Sequence, residues 1–303
     1  MNNYSHIHKD FQYLMLLTDA EREASLHVPF FIENAKTKGI VHYLDTLISL
    51  PKRDRMQNCL FIGEPNMGKT TIIKHFAKLH PDILKEDGDG NTIPSKPIII
   101  AEAPPSATER GFYTSILDGF THVDYRPTDT IAKIENQVFH LMTTCNVKML
   151  IIDEFHNLLA GTAIKQNIIL NIIKSMSNRL SIPIVAVGIS KAETIIKRSP
   201  QMASRFETIE LTQWKGNKDY VDLLRSFECR LPLKKPSKFD IKSNKKAIRL
   251  LSICDKNLGN LHKLLIECAK EAISTGEEEI TLEIIEKFSS YTPTAGKSAK
   301  RVF

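Results

Sequence analysis

The stretch Cys59-Leu-Phe-Ile-Gly63-Glu-Pro-Asn-Met-Gly68-Lys69-Thr70 decides the fold of this chain. Its first four residues are apolar and predict a buried strand, and the residues from about Gly68 to Leu79 predict a helix. The turn from Gly63 to Thr70 fits the pattern G-x-x-x-x-G-K-S/T. Glycines let backbone N–H groups wrap a triphosphate without side-chain collisions, and the amino-terminal end of the helix attracts the same phosphates. The strand, turn and helix together predict a nucleotide-binding loop.

The loop supplies the predicted contacts to ATP and to a magnesium ion. Lys69 can reach the β- and γ-phosphates, and the hydroxyl of Thr70 can ligate Mg²⁺. ATP and Mg²⁺ are therefore the predicted cofactors. The residues of this segment predicted to contact the nucleotide are Gly63, Glu64, Pro65, Asn66, Met67, Gly68, Lys69, Thr70 and Thr71.

A second motif follows the apolar run Lys148-Met-Leu-Ile-Ile152, which predicts another buried strand and ends in Asp153-Glu154. In P-loop enzymes a strand in this place delivers its aspartate to the magnesium ion. We therefore predict that Asp153 joins Thr70 as a metal ligand. The carboxylate of Glu154 could orient or deprotonate the attacking water, so Glu154 and Lys69 are predicted catalytic residues.

Two further apolar runs, at residues 97–101 and 182–187, and the segment Glu207-Thr-Ile-Glu-Leu211 predict the rest of a sheet. Strands that alternate with helical stretches indicate a parallel sheet covered by helices, and their near-continuous apolar character fits burial on both faces. The strand at 97–101 lies between the two motif strands in sequence. This suits ATPases in which an additional strand separates the motif strands in the sheet, and it disfavours simple nucleotide kinases. The predicted fold class is α/β with a five-stranded parallel sheet.

The regions on either side of the sheet are predicted to be helical. Thr18-Asp-Ala-Glu21 has the spacing of a capping box, and a helix from about Asn34 ends before Pro51. Residues 83–96 are predicted to be an exposed loop, because turn residues cluster there. After Trp214, helical segments follow at about 217–229, 244–254, 259–275 and 281–289, with Gly276 at a helix end. The predicted domains are an N-terminal helical segment at 1–50, a nucleotide-binding core at 51–214, a helical lid at 215–290 and a disordered basic tail at 291–303.

Composition and charge exclude several classes of protein. The chain has 303 residues, of which 42% are hydrophobic and 25% charged, as in an ordinary globular protein. No apolar run approaches the ~20 residues of a membrane span, and no secretory signal is visible, so we expect a cytoplasmic protein without a membrane partner. The five scattered cysteines fit neither a zinc knuckle nor a redox pair. The net charge of +6 permits an anionic partner.

The chain resembles the TniB family in several runs of sequence. One is Met-Leu-Ile-Ile-Asp-Glu-Phe-His-Asn-Leu-Leu-Ala-Gly-Thr at 149–162, and the others are the nucleotide loop and residues 103–106, 111–113, 183–192, 200–207 and 231–237. TniB proteins are AAA+ ATPases of transposons, close relatives of the TnsC regulators of Tn7-like elements. The resemblance implies an AAA+ P-loop fold with a small C-terminal helical lid, and an enzyme that hydrolyses ATP to ADP and phosphate.

The resemblance also implies roles for residues outside the two motifs. Arg205, in Ser204-Arg205-Phe206, stands where the family carries an arginine finger that would reach the γ-phosphate held by a neighbouring subunit, and Arg198 is the nearest alternative. Ser190 follows the fourth strand, where the family carries a polar sensor residue, and is the candidate for that role here. His262 stands where a second sensor is often arginine, and it either contacts the nucleotide or packs within the lid. Both sensor positions depart from the family pattern, which leaves the rate of hydrolysis open.

The function that the resemblance implies is regulation of transposition. ATP would drive assembly of a homo-oligomeric ring or helical filament around double-stranded target DNA, and that assembly would link a TniQ-type target selector to the transposase. The segments 104–110 and 125–133 are predicted to contact DNA phosphates with little sequence preference, through Ser106, Thr108, Arg110, Arg126, Thr128 and Lys133. Thr128 would also cap the helix that follows. The alternative is that both segments are ordinary solvent-exposed loops without a role in DNA binding. In that case the basic stretch Lys234–Lys246 is the next candidate for DNA contact.

Two other functions stay open at this point. One is an initiator or loader ATPase of the Orc/Cdc6 type. The residues Gly188-Ile189-Ser190 resemble the sensor region of such proteins. Such initiators usually carry a winged-helix domain after the lid, for which we expect no room in 303 residues. The other is a nucleotide-gated scaffold that binds ATP with little hydrolysis. Glu154 argues against this scaffold, and the departures at the two sensors argue for it.

Overall fold

Strands and helices alternate through the described part of this computed structural model, which comprises residues 4–86, 92–120, 123–239 and 245–290. The strands are β1 (Asn58–Gly63), β2 (Ile83–Glu86), β3 (Thr92–Ser95), β4 (Ile98–Glu102), β5 (Met149–Asp153), β6 (Ile184–Gly188) and β7 (Phe206–Leu211). The α-helices are α1 (Asp19–Ser25), α2 (Ala35–Ile48), α3 (Lys69–Leu79), α4 (Glu109–Leu117), α5 (Ile131–Thr144), α6 (Ala163–Leu180), α7 (Glu193–Lys197), α8 (Pro200–Ala203), α9 (Lys218–Glu228), α10 (Lys245–Ile253), α11 (Leu258–Ser274) and α12 (Leu282–Lys287). Short 3-10 helices span Lys9–Leu16, Phe155–Ala160 and Ser190–Ala192. The tail predicted at 291–303 lies outside the described residues.

The central sheet contains five parallel strands in the order β4-β5-β6-β1-β7. Every residue of β1, β5 and β6 is buried, which explains their continuous apolar sequences, since helices cover both faces of such a sheet. On β7, Glu207, Thr208 and Glu210 are exposed, as suits a strand at the edge. The predicted α/β fold with a five-stranded parallel sheet is confirmed.

An additional strand separates the two motif strands in the sheet, as predicted. This strand is β6, where Val185 pairs with Cys59 of β1 on one side and with Ile151 of β5 on the other. The strand that lies between the motifs in sequence, β4, pairs instead with the outer side of β5. Sequence order does not set sheet order here, because crossover connections let a parallel strand join either side of its predecessor. The carboxyl ends of β1, β5 and β6 meet at one edge, where ligands bind in open α/β sheets.

The segment at 83–96 contains an antiparallel hairpin, so the prediction of a loop was wrong for its two strands. β2 pairs with β3 from Ile83 opposite Ser95 to Glu86 opposite Thr92, while the connecting residues 87–91 lie outside the described part. Leu84 is 74% exposed. The hairpin therefore lacks the alternation of buried apolar and exposed polar residues by which a sequence predicts a strand.

Helix signals at both ends of the chain are confirmed. Thr18 and Glu21 form a capping box at the start of α1, and α2 ends shortly before Pro51. Gly276 follows α11 with a φ of +73°, a conformation that glycine adopts without strain. Within the described residues, no helix is both long enough and apolar enough to cross a membrane.

The described residues divide into two compact units. The helical unit comprises the described parts of Met1–Lys38, Pro65–Gly68 and Thr212–Phe303, and the sheet unit comprises those of Gly39–Glu64 and Lys69–Leu211. The predicted lid helices α9 to α12 lie in the helical unit together with α1. The domain limits predicted at residues 50, 214 and 290 stay predictions, because a unit that is compact is not thereby shown to fold alone.

A buried ion cluster joins distant segments of the helical unit. Arg22 is 1% exposed and donates hydrogen bonds to both carboxylate oxygens of Glu278, at 2.7 and 2.8 Å. Arg22 also donates to Asp19, and Lys234 donates to Glu278 at 2.6 Å. Removing one member would leave a buried charge without its partner, which makes the cluster important for stability.

Candidate nucleotide-binding site

The phosphate loop begins where β1 ends and stops where α3 starts. A side chain on Gly63 would meet the carbonyl oxygen of Leu211 at 3.0 Å, closer than ordinary contact allows. Asn66 and Gly68 have φ values of +62° and +90°, and only the glycine adopts such a value freely. The strand, turn and helix predicted from the sequence are therefore confirmed. Gly68 has a backbone conformation that favours glycine, and Gly63 leaves little room for a side chain.

Lys69 is buried in the loop although its side chain carries a charge. Its Nζ donates hydrogen bonds to the carbonyl oxygens of Gly63 and Glu64 at 2.9 and 3.0 Å, and the residue is 9% exposed. Burial lowers the pKa of Lys69, while the negative charges of Glu154 and Asp153 act in the opposite direction. An ammonium group held by neutral carbonyls at the start of a helix is suited to bind phosphate oxygens.

The two predicted metal ligands are in direct contact. The hydroxyl of Thr70 donates a hydrogen bond to Oδ2 of Asp153 at 2.7 Å, and the backbone N–H of Glu154 donates to Oδ1 at 2.9 Å. Mg²⁺ prefers hard oxygen ligands and is usually bound by one or two protein groups together with substrate phosphates. The donor set of Thr70 and Asp153 fits that arrangement. Across the described ranges, no group of three or more His, Cys, Asp or Glu side chains gathers to form a metal site made by protein alone.

Glu154 adopts a left-handed conformation with a φ of 52°, between β5 and the 3-10 helix that begins at Phe155. Such a backbone is uncommon for a non-glycine residue and is often found in active sites. Its carboxylate is 43% exposed and lies 3.2 Å from Nδ1 of His156, although the two groups are not aligned as a hydrogen bond. The carboxylate is therefore accessible to water, as a residue that orients an attacking water must be.

Ser190 lies at the same edge of the sheet as the two motifs. It is exposed and begins a 3-10 helix two residues after β6, the strand between β1 and β5. The parallel arrangement therefore brings Ser190 to the edge that carries Gly63 and Asp153. Its contact with a nucleotide stays a prediction.

Hydrogen bonds within the helical unit hold the tip of the phosphate loop, and no motif in the sequence predicted them. Asn257 caps α11, and its amide donates to the carbonyl oxygen of Pro65 at 2.8 Å. The backbone N–H of Gly259 donates to the carbonyl oxygen of Asn66 at 2.9 Å, and the Asn66 amide donates to Oδ1 of Asn260 at 3.3 Å. The sequence predicted a helix from about residue 259, but nothing in that pattern shows which distant loop the start of the helix binds.

His262 packs into an aromatic cluster of the helical unit. Its ring stacks on Phe227 with 5.7 Å between ring centroids and meets Phe30 edge to face at 5.4 Å. Burial lowers the pKa of its imidazole. Of the two alternatives left by the sequence, the structure shows packing among the helices, and we assign His262 no further role at the nucleotide.

Arg205 lies at the opposite edge of the sheet from the phosphate loop. It directly precedes β7, which begins beside Asn58 at the amino end of β1, whereas the loop follows the carboxyl end of β1. About 16 Å of strand separates the two edges at ~3.3 Å per residue. The guanidinium of Arg205 donates to the Asn178 side chain at 2.7 Å, while the exposed Arg198 donates to Gln166. Arg205 therefore cannot reach the phosphate loop of its own subunit.

The segments predicted to contact DNA make internal hydrogen bonds. The guanidinium of Arg110 donates to the backbone carbonyls of Pro127 and Asp129, and Lys133 pairs with the Asp129 carboxylate at 2.6 Å. The exposed side chain of Arg126 makes no hydrogen bond or ion pair within the described part of the chain. Of the three basic residues in these segments, Arg126 is therefore the most available to an outside phosphate.

The predicted helix cap at Thr128 was wrong. α5 begins at Ile131, and Thr130 is its cap, since the Thr130 hydroxyl accepts a hydrogen bond from the N–H of Lys133. The turn before it is fixed by Asp129, whose carboxylate accepts from the N–H of Arg126 at 2.9 Å. Thr128 lies within that turn, so the cap of the helix is at Thr130, two residues later in the chain. In the other segment, Thr108 caps α4 and Ser106 is exposed.

Comparisons with known proteins identify the family and the fold. The bacterial TniB protein family matches residues 22–216. The Aeropyrum pernix ORC2 protein, in its ADPNP–ADP complexes, has a TM-score of 0.58 and 14% identity, covering 88% of this chain and 71% of that chain. For Cdc6p from Pyrobaculum aerophilum the TM-score is 0.59 with 12% identity, covering 92% of this chain and 72% of that chain. Drosophila ORC bound to DNA has a TM-score of 0.53 with 12% identity, covering 89% and 65%.

No curated protein matches the chain. The similarity to the Orc and Cdc6 structures, at such low identity, concerns the fold, which is that of AAA+ P-loop proteins. The TniB match covers more than half of the chain and confirms the resemblance found in its sequence. The chain therefore belongs to the TniB family and is an ATPase of the AAA+ type.

Proposed function

We propose that this protein is an ATP-dependent regulator of transposition, which oligomerises on double-stranded target DNA and links a TniQ-type target selector to the transposase. Membership of the TniB family supports the transposition context. The observation that carries the nucleotide-dependent part is the hydrogen bond between Thr70 and Asp153. It joins the two sequence motifs at one edge of the sheet, which is the arrangement that binding of ATP with Mg²⁺ requires.

In the proposed reaction, the N–H groups of the phosphate loop and the ammonium group of Lys69 bind the phosphates of ATP. Thr70 and Asp153 would hold a magnesium ion, which supplies positive charge next to the phosphates when it is bound. Glu154 orients a water molecule and accepts its proton as the water attacks the γ-phosphorus, while the bond from that phosphorus to the β–γ bridging oxygen breaks and ADP leaves. We assign Ser190, at the same edge, the role of the polar sensor.

We assign Arg205 to the nucleotide of a neighbouring subunit. Its place at the amino-terminal edge of the sheet supports this assignment, since about 16 Å of strand keeps it from its own phosphate loop. An arginine supplied by a second subunit stabilises the negative charge of the transition state. Efficient hydrolysis then requires a homo-oligomer, in which each subunit completes the site of the next.

We assign the DNA contacts to the phosphate-binding side chains of the two predicted segments, with Arg126 as the principal one. Arg110 would have to give up its hydrogen bonds to Pro127 and Asp129, and Lys133 its ion pair, before either bound a phosphate. Ser106, Thr108 and Thr128 would contribute hydroxyl contacts. A protein of similar fold, Drosophila ORC, has been solved bound to DNA.

Electron microscopy of the protein with ATP and duplex DNA tests the proposal. The wild type should form rings or filaments on the duplex, and Lys69→Ala should not, because it loses the lysine that binds the phosphates. Glu154→Gln should assemble but hydrolyse ATP slowly, so its assemblies should persist. Monomers free of DNA in every nucleotide state would contradict assembly, and a wild-type rate for Glu154→Gln would contradict its assigned role.

Mixing two inactive variants tests the position of Arg205. Arg205→Ala subunits lack the finger but keep the nucleotide site, and Lys69→Ala subunits keep the finger. A mixture should regain part of the ATPase activity, because some interfaces combine an intact finger with an intact site. No recovery at any ratio, in subunits shown to assemble together, would exclude action between subunits.

An initiator or loader ATPase is the second candidate, and the likeness in fold to ORC2 and Cdc6p favours it. Strand transfer by the transposase of the same element separates the two. If this protein is a transposition regulator, it should stimulate strand transfer when ATP is present, and its Lys69→Ala variant should stimulate strand transfer less. An initiator should have no effect on strand transfer. Multiple-turnover ATPase measurements with and without DNA then test for a scaffold that binds ATP with little hydrolysis.

A further inference from the structure

A pocket in the helical unit is lined by apolar side chains. It is large enough to hold one apolar side chain of another molecule. Its volume is about 170 Å³, and it lies between the 3-10 helix Lys9–Leu16, the chain after α1, and parts of α9 and α11. Leu14, Leu26, Phe227 and Leu265 line it and are each less than a tenth exposed. Apolar cavities of ~150 Å³ accept a ligand the size of benzene.

Arg230 places a positive charge in this pocket without a negative partner. Its Nη1 donates to the carbonyl oxygen of Ser226 at 3.0 Å and its Nη2 to that of Phe31 at 3.4 Å, while its buried Nε has no hydrogen-bond partner. The guanidinium lies 5.2 Å from the centre of the Phe30 ring. No carboxylate pairs with it in the described ranges. Burial lowers the pKa of Arg230, but a guanidinium stays charged at neutral pH.

A second polar atom in the pocket also lacks a partner. Nε2 of His262 is buried and makes no hydrogen bond in the described part of the chain, while the faces of the ring pack against Phe30 and Phe227. Buried polar atoms are nearly always hydrogen-bonded, and each one left without a partner is costly. A carboxylate could accept from Arg230, and also from His262 when the proton is on Nε2. The pocket thus offers an apolar cavity next to donors that fit a carboxylate.

The rim of the pocket indicates the source of that carboxylate. Tyr13 and Val28 line the pocket, and they are 60% and 62% exposed. Large apolar side chains on a surface beside a small pocket provide contact area that a free metabolite would not use, and they suit a protein segment with one anchoring side chain.

We infer that this pocket binds a segment of a partner protein that inserts one large apolar side chain and pairs an adjacent carboxylate with Arg230. The inference goes beyond the proposed function, because it concerns a docking site for another protein and uses no residue of the phosphate loop. The charge on Arg230 selects an acidic segment, and the size of the cavity selects a single side chain such as phenylalanine or leucine.

Two short acetylated and amidated peptides test the inference with the full-length protein. One contains aspartate followed by phenylalanine, and the other differs only in having asparagine for the aspartate. Fluorescence polarisation of labelled peptides should show that the wild type binds the aspartate peptide about tenfold or more tightly, as for a hydrogen bond to a charged group. Arg230→Met, which keeps an unbranched apolar side chain, should bind both peptides equally weakly.

Arg225→Met is the matched control. Arg225 lies on α9 and pairs with Asp222 at the surface, outside the pocket. Removing its charge should leave the preference for the aspartate peptide unchanged. Thermal unfolding of each variant shows whether it is folded.

A second pair of variants keeps the test valid if Arg230→Met does not fold. Val28 is exposed, so Val28→Glu and Val28→Lys should fold like the wild type. Val28→Glu should weaken binding of the aspartate peptide several-fold by repelling its carboxylate, and Val28→Lys should not. The inference is overturned if neither peptide binds the wild type, if both bind it equally, if the preference survives in Arg230→Met, or if both Val28 variants bind like the wild type.

Discussion

The phosphate loop and the ion cluster of the helical unit each bury a positively charged side chain, but the groups that surround the charge differ between the two sites. Arg22 is 1% exposed, and hydrogen bonds from its guanidinium to Glu278 raise its pKa above the ordinary value. Lys69 is 9% exposed and donates only to carbonyl oxygens, and burial lowers its pKa. The first cation has a negative partner within the protein. The second has neutral partners.

This difference separates a structural charge from a functional one. A buried cation that is paired with a buried carboxylate holds two segments together, and losing either partner is costly. A buried cation with neutral acceptors stays available to an anion from outside, which for Lys69 is a phosphate of ATP. Arg230, in the apolar pocket of the helical unit, resembles Lys69, since it too donates hydrogen bonds only to carbonyl oxygens.

Replacing Arg22 should have the largest effect on stability. Arg22→Met leaves Glu278 buried without its main partner, so the free energy of unfolding should fall by about 3–5 kcal/mol. Arg249→Met is the matched control, because Arg249 makes a similar pair with Glu286 at the surface, where the loss should stay below about 1 kcal/mol. Denaturant unfolding measures both values. Equal losses in the two variants would show that burial of the cluster does not matter.

Replacing Lys69 should affect activity far more than stability. Lys69→Ala should lower ATPase activity about a hundredfold or more, because a charge aimed at the phosphates is lost. No buried carboxylate loses an ion-pair partner, so the free energy of unfolding should fall by only about 1–2 kcal/mol, for the two hydrogen bonds to carbonyl oxygens that are lost. Lys74→Ala, on the exposed side of the same helix, is the control and should be active. A loss of stability as large as that of Arg22→Met would remove the distinction between the two sites.

Acid should weaken the ion cluster through Glu278. Burial raises the pKa of its carboxyl, but hydrogen bonds from Arg22 and Lys234 outweigh this and lower the pKa to about 2, from 4.5. A lowered pKa means that the stabilisation is fully present above about pH 4.5 and is lost as the pH falls towards 2. The wild type should lose on the order of 3 kcal/mol more than Glu278→Gln over this range. Parallel pH profiles of the two proteins would contradict this prediction.

Replacing Gly259 should give the smallest effect, confined to nucleotide binding. A Cβ at this position would lie 2.2 Å from Oδ1 of Asn66, so the Asn66 amide must turn away from Asn260. Gly259→Ala should therefore weaken ATP binding by about two- to tenfold, the value of one hydrogen bond at the loop. Gly39→Ala on α2, where a Cβ meets nothing within 4 Å, is the control and should bind ATP normally. Calorimetric titration with ATP measures both, and equal affinities would show that the contact with α11 does not support the loop.

The sequence by itself determined the elements that depend on neighbours in the chain. The strand, glycine turn and helix from Cys59 to Leu79 follow from local pattern, as does the capping box of α1. β1, β4, β5 and β6 were predictable because strands covered on both faces carry unbroken apolar runs, whereas β7 lies at the edge of the sheet and alternates apolar with exposed polar residues. Asp153 could be placed at the edge beside Thr70, since parallel strands end at a common edge and each motif ends its own strand.

Only the tertiary structure decided what depends on residues far apart in sequence. The position of β6 between β1 and β5, the pairing of Arg22 with Glu278 and the contact of Asn66 with α11 each join segments that no local pattern connects. The direction of the His262 ring was open for the same reason, because a helix position can be read from sequence but its neighbours cannot. Contacts of this kind are set by how elements pack, and the sequence of one element carries little information about the surface of another.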